Sequence, residues 1–183
     1  IQLIPDLYTA WHAGKSAWGK KKLLNDFSIG IEISNTGHNY GYKNYKKKQI
    51  TALIKLLQNL KKKYQIKPEN ILGHSDIAPD RKKDPGEKFP WKYLSKKKIG
   101  FWHNLNSKDL LRNRSVKTKN LEKKAFTKNL FKIGYPQNKR IKEKKYLKII
   151  TIAFQRRFRQ ELINGIIDQE CLMISKNLLK TKR

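Results

Sequence analysis

The sequence predicts an α/β fold with a mixed central sheet and flanking helices, followed by a small three-helix bundle. The first observation is a segment near residue 30 in which apolar and polar residues alternate strictly. The second is a long amphipathic stretch that follows it, with apolar residues three and four positions apart. The third is a set of three shorter periodic segments in the last sixty or so residues. Together they indicate two domains of different class.

The first strand is predicted over 27–34, where the sequence reads FSIGIEIS. Four apolar residues point to one face, and Ser28, Gly30, Glu32 and Ser34 point to the other. A helix is predicted over 46–64, with one apolar stripe and lysines opposite. Pro68 cannot continue it, and the sequence NILGHSD that follows predicts a second short strand. Strand, helix and strand in this order favour a mixed sheet covered by helices.

The second domain is predicted after a change in composition. Residues 1–105 form the first domain, residues 106–119 are poor in periodic apolar residues and predict a linker, and residues 120–183 form a helical domain. Its three helices begin near Leu121, near Lys144 and after Asp168, whose carboxylate can cap the last helix.

The composition is strongly basic, with a formal net charge of +29 from 43 Lys and Arg against 14 Asp and Glu. One interpretation is attraction to an anionic polymer or surface. The other is codon bias, because lysines greatly outnumber arginines, whereas specific phosphate and base readers rely on arginine. The single cysteine, Cys171, excludes an internal disulfide and a cysteine-based zinc cluster.

The most unusual segment is GHSDIAPDRKKDPG at 73–86, which is too polar for a buried strand and too broken for a helix. His74 and Asp84 lie ten residues apart in it, and imidazole and carboxylate are ligands that Zn²⁺ accepts. The spacing alone also fits two ordinary surface residues. Lys82 could stabilise an oxyanion or simply be solvated. Asp76 and Arg81 are expected to brace the loop, as an ion pair or as support for a metal site.

Two further positions can carry chemistry. Glu32 lies on the polar face of the predicted strand between small neighbours, where it could take a proton from a metal-bound water or remain a solvated carboxylate. In the segment AWHAG, His12 could line a sugar or peptide pocket or be a packed loop residue. His38 and His103 have no supporting context, so we interpret both as structural or surface residues.

Four segments together, AWHAG, NDFSIGIEI, GHSDIAPDRKKDPG and FPW, resemble the zinc-dependent N-acetylmuramoyl-L-alanine amidases of the type-2 amidase family, which includes T7-type lysozymes and peptidoglycan recognition proteins. The resemblance implies that His74 and Asp84 bind Zn²⁺, that Glu32 is the general base, and that Lys82 stabilises the tetrahedral intermediate. It also implies that the AWHAG segment borders the substrate groove through three residues: Trp11, His12 and Ala13. The last sixty residues resemble a peptidoglycan-binding helical module.

The resemblance implies hydrolysis of the amide between N-acetylmuramic acid and L-alanine, with peptidoglycan or muropeptides as partners. The family's third zinc ligand is a histidine on an earlier strand, so we expect a segment carrying it to precede Ile1. If that ligand is truly lost, the alternative is a non-catalytic peptidoglycan-binding remnant. A nucleic-acid-binding protein is a third hypothesis, which leaves the 73–86 loop unexplained; no specific nucleic acid is expected. We expect a monomer without a transmembrane segment, in the periplasm or cell envelope, with the cytoplasm as the alternative.

Overall fold

The computed structural model describes residues 1–182, in which helices dominate. The first regular element is a two-stranded hairpin formed by β1 (Ala17–Trp18) and β2 (Lys21–Lys22). Short 3₁₀ turns lie at Leu24–Phe27, His38–Tyr40 and Pro68–Asn70. The helices are α1 (Lys47–Tyr64), α2 (His74–Ile77), α3 (Trp91–Lys96), α4 (Ser107–Asn113), α5 (Asn120–Ile133), α6 (Glu143–Phe158) and α7 (Gln169–Thr181).

The predicted mixed central sheet is wrong for the described residues. Their only ladder is the hairpin, where Ala17 pairs with Lys22 and Trp18 with Lys21. The segment 28–36 is extended but belongs to no ladder, and the predicted second strand turns into α2 at His74. The reason is that alternation specifies which face of a strand is buried, whereas a sheet also needs a partner strand in register.

The alternation itself is partly confirmed in the extended segment. Ile31 and Ile33 are half-buried and pack against a core cluster formed mainly by α1 and α3, while Glu32 and Ser34 are exposed. The buried members of that cluster are Ile50, Leu53, Phe89, Trp91, Leu94 and Ile99. The long helix α1 therefore matches its prediction within one residue, because its apolar stripe has this cluster to cover.

The C-terminal part contains one helix more than the sequence predicts. The three expected helices are present as α5, α6 and α7, but α4 lies in the stretch 106–119 for which a linker is predicted. Asn106 caps α4 by accepting a hydrogen bond from the Lys108 amide at 2.8 Å, and Leu110 is buried in the same core as the other three helices. The arrangement is therefore not a bundle of three, because α4 also packs on α7.

Buried charges tie the C-terminal helices to the turns between them. Asp168 caps α7 by accepting from the Cys171 amide at 2.9 Å, as predicted, and its other oxygen accepts from the guanidinium of Arg159. Arg114, just after α4, makes a two-pronged hydrogen bond to Glu170 at 2.7 and 2.8 Å. Asp168 and Glu170 thus each have a guanidinium partner, which offsets their loss of hydration.

No helix among residues 1–182 combines the length and the hydrophobicity that crossing a membrane requires.

Candidate functional site

The two predicted metal ligands, His74 and Asp84, lie side by side. His74 begins α2, and the loop after α2 turns back because the amides of Arg81 and Lys82 both donate to the Ala78 carbonyl, at 3.1 and 3.0 Å. The Ser75 amide then donates to the Asp84 carbonyl at 2.8 Å, which closes the loop. As a result, Nδ1 of His74 lies 3.1 Å from Oδ2 of Asp84.

The hydrogen bond of the second ring nitrogen, Nε2, determines which nitrogen of His74 carries a proton. Nε2 is 3.2 Å from the carbonyl oxygen of Ala13, which can only accept a hydrogen bond, so Nε2 carries a proton. In a neutral imidazole Nδ1 is then a bare lone pair facing a carboxylate. Two acceptors at this distance require a shared cation or a second ring proton.

A divalent cation fits this pair of donors. Two ligands of one tetrahedral zinc ion, each about 2.0–2.2 Å from the metal, lie roughly 3.3–3.6 Å apart. The observed 3.1 Å is a few tenths of an ångström shorter than this separation and also equals the length of a direct hydrogen bond. The hydrogen bond from Nε2 to a carbonyl is the usual way to orient a ligating histidine. Among residues 1–182 no cluster of three or more His, Cys, Asp or Glu side chains surrounds such a position.

Asp84 is ionised at neutral pH. Partial burial raises the pKa of Asp84, but the contact with His74 and the positive charge of Lys82 outweigh that effect, so the pKa is lowered below its ordinary value. Lys82 is half-buried and its ammonium group acts on Asp84 without forming a direct ion pair in the described part of the chain. The predicted oxyanion stabiliser thus lies close enough to the predicted metal ligand to lower the pKa of its carboxyl group.

The AWHAG segment is held rigidly against the His74 loop. The Arg81 guanidinium donates to the carbonyls of Ala13 and, at 3.0 Å, Lys15. Asn25 accepts from the amides of Ala13 and Gly14 at 2.8 and 3.2 Å. Ala13 is only 1% exposed, so its contribution to the site is the carbonyl that orients His74 rather than a side chain facing a groove.

The other two residues that the resemblance places at the groove, Trp11 and His12, are more accessible than Ala13. Trp11 is 92% exposed, so its ring is available to a ligand. His12 is half-buried, with Nδ1 2.8 Å from the Ala10 carbonyl and Nε2 2.9 Å from the Ser28 hydroxyl. Its ring lies against Gly30, where a Cβ atom would approach within 2.5 Å.

Glu32 is exposed on the extended segment and has no hydrogen bond or ion pair within residues 1–182. It is two residues beyond Gly30, and in an extended chain residues two apart share a face. Ser28 and Gly30 lie against His12, and the alternating burial of Ile31, Glu32 and Ile33 puts Glu32 on the side of the segment opposite to the core. A carboxylate without a local partner on this face is available to a water molecule.

The structure corrects the expected pairing of Asp76 and Arg81. Arg81 does brace the loop, but through backbone carbonyls, while Asp76 binds the guanidinium of Arg157 from the C-terminal part. Sequence reasoning missed Asn25 and Arg157 entirely. A lone asparagine in NDFSIG and an arginine in a basic helix give no signal of the backbone and carboxylate that they contact.

A second polar cluster supports the far end of the loop. The hydroxyls of Tyr42 and Tyr45 donate to the Pro85 carbonyl at 2.6 and 2.8 Å. His38, which the sequence gives no context, lies 3.1 Å from Glu87 and packs on the ring of Tyr42. Its structural interpretation agrees with this support role. The run of tyrosines in the 35–45 loop was the only sequence signal.

Comparison with known protein families finds a match for residues 1–87, to the N-acetylmuramoyl-L-alanine amidase family. Among relatives, AmiD of Escherichia coli K12, an N-acetylmuramoyl-L-alanine amidase, is 38% identical over 185 residues, which is 98% of this chain and 66% of AmiD. AmpD of Enterobacter cloacae, a 1,6-anhydro-N-acetylmuramyl-L-alanine amidase, is 43% identical over 50% of this chain and 46% of its own length. The chain thus spans about two thirds of one curated relative and less than half of the other.

Solved structures extend the likeness to the whole chain. The E. coli AmiD complex with anhydro-N-acetylmuramic acid-L-Ala-D-γ-Glu-L-Lys superposes with a TM-score of 0.86 at 36% identity, covering 98% of this chain and 72% of that one. AmpDh3 of Pseudomonas aeruginosa, in complex with an anhydromuramic pentapeptide, gives a TM-score of 0.84 at 33% identity with the same coverage. Both likenesses include the C-terminal helices as well as the loop of His74.

Proposed function

Because this chain belongs to the N-acetylmuramoyl-L-alanine amidase family, we propose that it hydrolyses the amide bond between N-acetylmuramic acid and the L-alanine of the stem peptide. The observation that carries this proposal is the pairing of His74 Nδ1 with Asp84 Oδ2 at 3.1 Å. The substrate class follows from the muropeptide complexes of the two structural relatives.

His74 and Asp84 would be two of the ligands of a zinc ion. No third His, Cys, Asp or Glu side chain among residues 1–182 clusters with them, so the remaining ligands would be other groups. A zinc ion held there would polarise the scissile carbonyl and lower the pKa of a bound water toward about 7. The carbonyl of Ala13 keeps His74 in the tautomer that offers Nδ1. Arg81 and Asn25 hold that carbonyl in place, so the orientation of the ring does not depend on the substrate.

Glu32 would accept a proton from the attacking water and return it to the amide nitrogen as the C–N bond breaks. Glu32 forms no ion pair within residues 1–182, so its carboxylate is free to accept and return this proton. The ammonium of Lys82 would stabilise the negative charge that develops on the carbonyl oxygen. Trp11 offers an exposed aromatic face to the sugar or peptide, and His12 lines the same edge.

The C-terminal helices would bind peptidoglycan and keep the enzyme near its polymer, which raises the effective substrate concentration. The net charge of +29 would add non-specific attraction to anionic envelope components. A substrate of this kind fits a periplasmic or envelope location, and the cytoplasmic alternative fits soluble muropeptides.

The test is release of free stem peptide from purified muropeptides by the zinc-supplemented protein, followed by mass spectrometry. We expect His74→Ala and Glu32→Gln each to reduce the rate by 100-fold or more while peptidoglycan pull-down persists. Glu143→Gln is the matched control, because Glu143 is an exposed glutamate at the start of α6, and it should leave the rate unchanged. Wild-type release by Glu32→Gln would remove Glu32 from its role.

A second candidate is a non-catalytic peptidoglycan binder, because residues 1–182 supply two metal donors rather than three. It predicts retention on sacculi with no stem peptide released at any zinc concentration. Zinc content of the purified protein separates the two: near-stoichiometric metal supports the amidase, and none supports the binder.

A further inference from the structure

We propose that Arg157 of α6 is a positioning residue for His74, acting through Asp76, so that the C-terminal helices are part of the catalytic site rather than only a tether to the wall. The inference rests on the proposed function for the role of His74. Arg157 lies in a helix 81 residues after Asp76, so its position in the chain does not by itself suggest this role.

The link begins at the carboxylate of Asp76, two residues after His74 and only 1% exposed. Its Oδ2 accepts from the Gly73 amide at 2.8 Å and from the guanidinium of Arg157. Its Oδ1 accepts from the hydroxyl of Tyr135 at 2.9 Å. All of these partners except Gly73 belong to the C-terminal part of the chain.

Arg157 reaches the other side of His74 as well. Its second terminal nitrogen donates to the carbonyl of Ile71 at 2.9 Å, and its guanidinium lies 4.1 Å from the centroid of the Trp91 ring. The side chain is itself 1% exposed. One planar guanidinium thus binds the backbone three residues before His74 and the side chain two residues after it, which sets where α2 starts.

The surroundings leave little room for another arrangement. A Cβ added at Gly73 would lie 2.6 Å from the Pro85 ring and 3.2 Å from Trp91, so the chain before His74 is pressed against the residue that follows Asp84. Without Arg157 the Asp76 carboxylate would be a buried charge with no cationic partner, which favours its movement toward water. Because Asp76 caps α2 at Gly73, that movement would carry His74 with it.

The test measures the loop in the absence of metal and the metal affinity of the same proteins. Hydrogen exchange followed by mass spectrometry on the peptide covering 71–86 should be at least 10-fold faster in Arg157→Met, because the Gly73 amide loses its fixed acceptor on Asp76 and the Ile71 carbonyl loses its donor. Zinc affinity, measured by competition with a chromophoric chelator, should fall about 10-fold, in the range seen for loss of outer-shell partners. Arg157→Lys keeps the charge and should restore both in part.

The matched control is Arg159→Met, two residues along the chain. Arg159 is also fully buried and paired with a carboxylate, Asp168, but contacts nothing near His74. It should destabilise the C-terminal helices yet leave exchange in 71–86 and zinc affinity as in the wild type. If Arg157→Met fails to fold, Tyr135→Phe removes a single hydrogen bond and should change both quantities severalfold in the same direction.

The inference is overturned if Arg157→Met or Tyr135→Phe exchanges and binds zinc like the wild type, or if Arg159→Met perturbs the 71–86 peptide equally. In an active enzyme the Arg157 variants should lower kcat more than they raise KM. Exchange needs neither metal nor substrate. A wild-type protein without amidase activity would therefore refute the proposed function, while the exchange data would still decide the role of Arg157.

Discussion

Gly30→Ala tests whether the face of the extended segment that carries Glu32 lies against His12. The φ angle of Gly30 lies outside the left-handed region, so alanine is tolerated by the backbone itself. The new methyl group, however, would lie 2.5 Å from the His12 ring, against ordinary contacts of 3.4–4 Å. The ring would have to move by about 1 Å.

The magnitude follows from what holds the ring. His12 bonds the Ala10 carbonyl at 2.8 Å and the Ser28 hydroxyl at 2.9 Å, and a shift of that size breaks at least one of these bonds. Losing one costs about 1 kcal/mol and the overpacking about 1–3 kcal/mol. The reduced entropy of the unfolded chain offsets about 0.4–1 kcal/mol. We expect Gly30→Ala to lower the free energy of unfolding by about 2 kcal/mol.

The assay is urea denaturation of Gly30→Ala in three backgrounds: wild type, His12→Ala and His12→Gly. The Cβ of His12 itself would lie 2.7 Å from the new methyl, so His12→Ala relieves the clash only in part. His12→Gly removes all of the His12 side-chain atoms nearest to it and should make the substitution neutral or slightly stabilising. An equal cost in all three backgrounds, or no cost in the first, would refute this packing and with it the placement of Glu32.

Three further outcomes are expected. Burial lowers the pKa of His103 to about 4, below its ordinary value of about 6.5, so the unfolded state binds the extra proton. Stability is therefore complete above about pH 6.5 and falls by about 3 kcal/mol toward pH 4 in urea titrations, a slope that His103→Phe should remove. Phe154→Ala, fully buried between aromatic rings, should cost about 3–5 kcal/mol by thermal unfolding, whereas Leu121→Ala at a site 79% exposed should cost under about 0.5 kcal/mol. Burial raises the pKa of the Cys171 thiol to about 12, so a disulfide reagent should modify it at least about 100-fold faster in urea than in the native protein.

The helices were predictable because their signals are local. The stripe over 46–64 became α1, and the cap at Asp168 began α7. The helix α4 was missed because its seven residues bury only Leu110, too little to produce a visible period. The central sheet was wrong because the alternation at 27–34 carries no information about which strand, if any, pairs with it.

The candidate site was also predictable only in part from the sequence. The residue types and spacing in the 73–86 loop marked His74 and Asp84 as possible ligands, and the structure brings them to 3.1 Å. The roles of Glu32 and Lys82 remain predictions. The supports of the loop were invisible, since neither the Ala13 carbonyl nor the side chains of Asn25 and Arg157 carry a sequence signal of what they contact.

By itself the sequence determined where helices form, which loop carries the chemistry and which residue types it offers, because periodicity, capping and ligand chemistry depend on neighbours a few positions apart. Only the tertiary structure decided which residues contact one another across the chain. Arg157 is 81 residues from Asp76, and any of the 43 basic residues could have met that carboxylate. The packing of α6 places Arg157 beside Asp76. A buried charge is stable only where the fold positions a counter-charge with the right geometry.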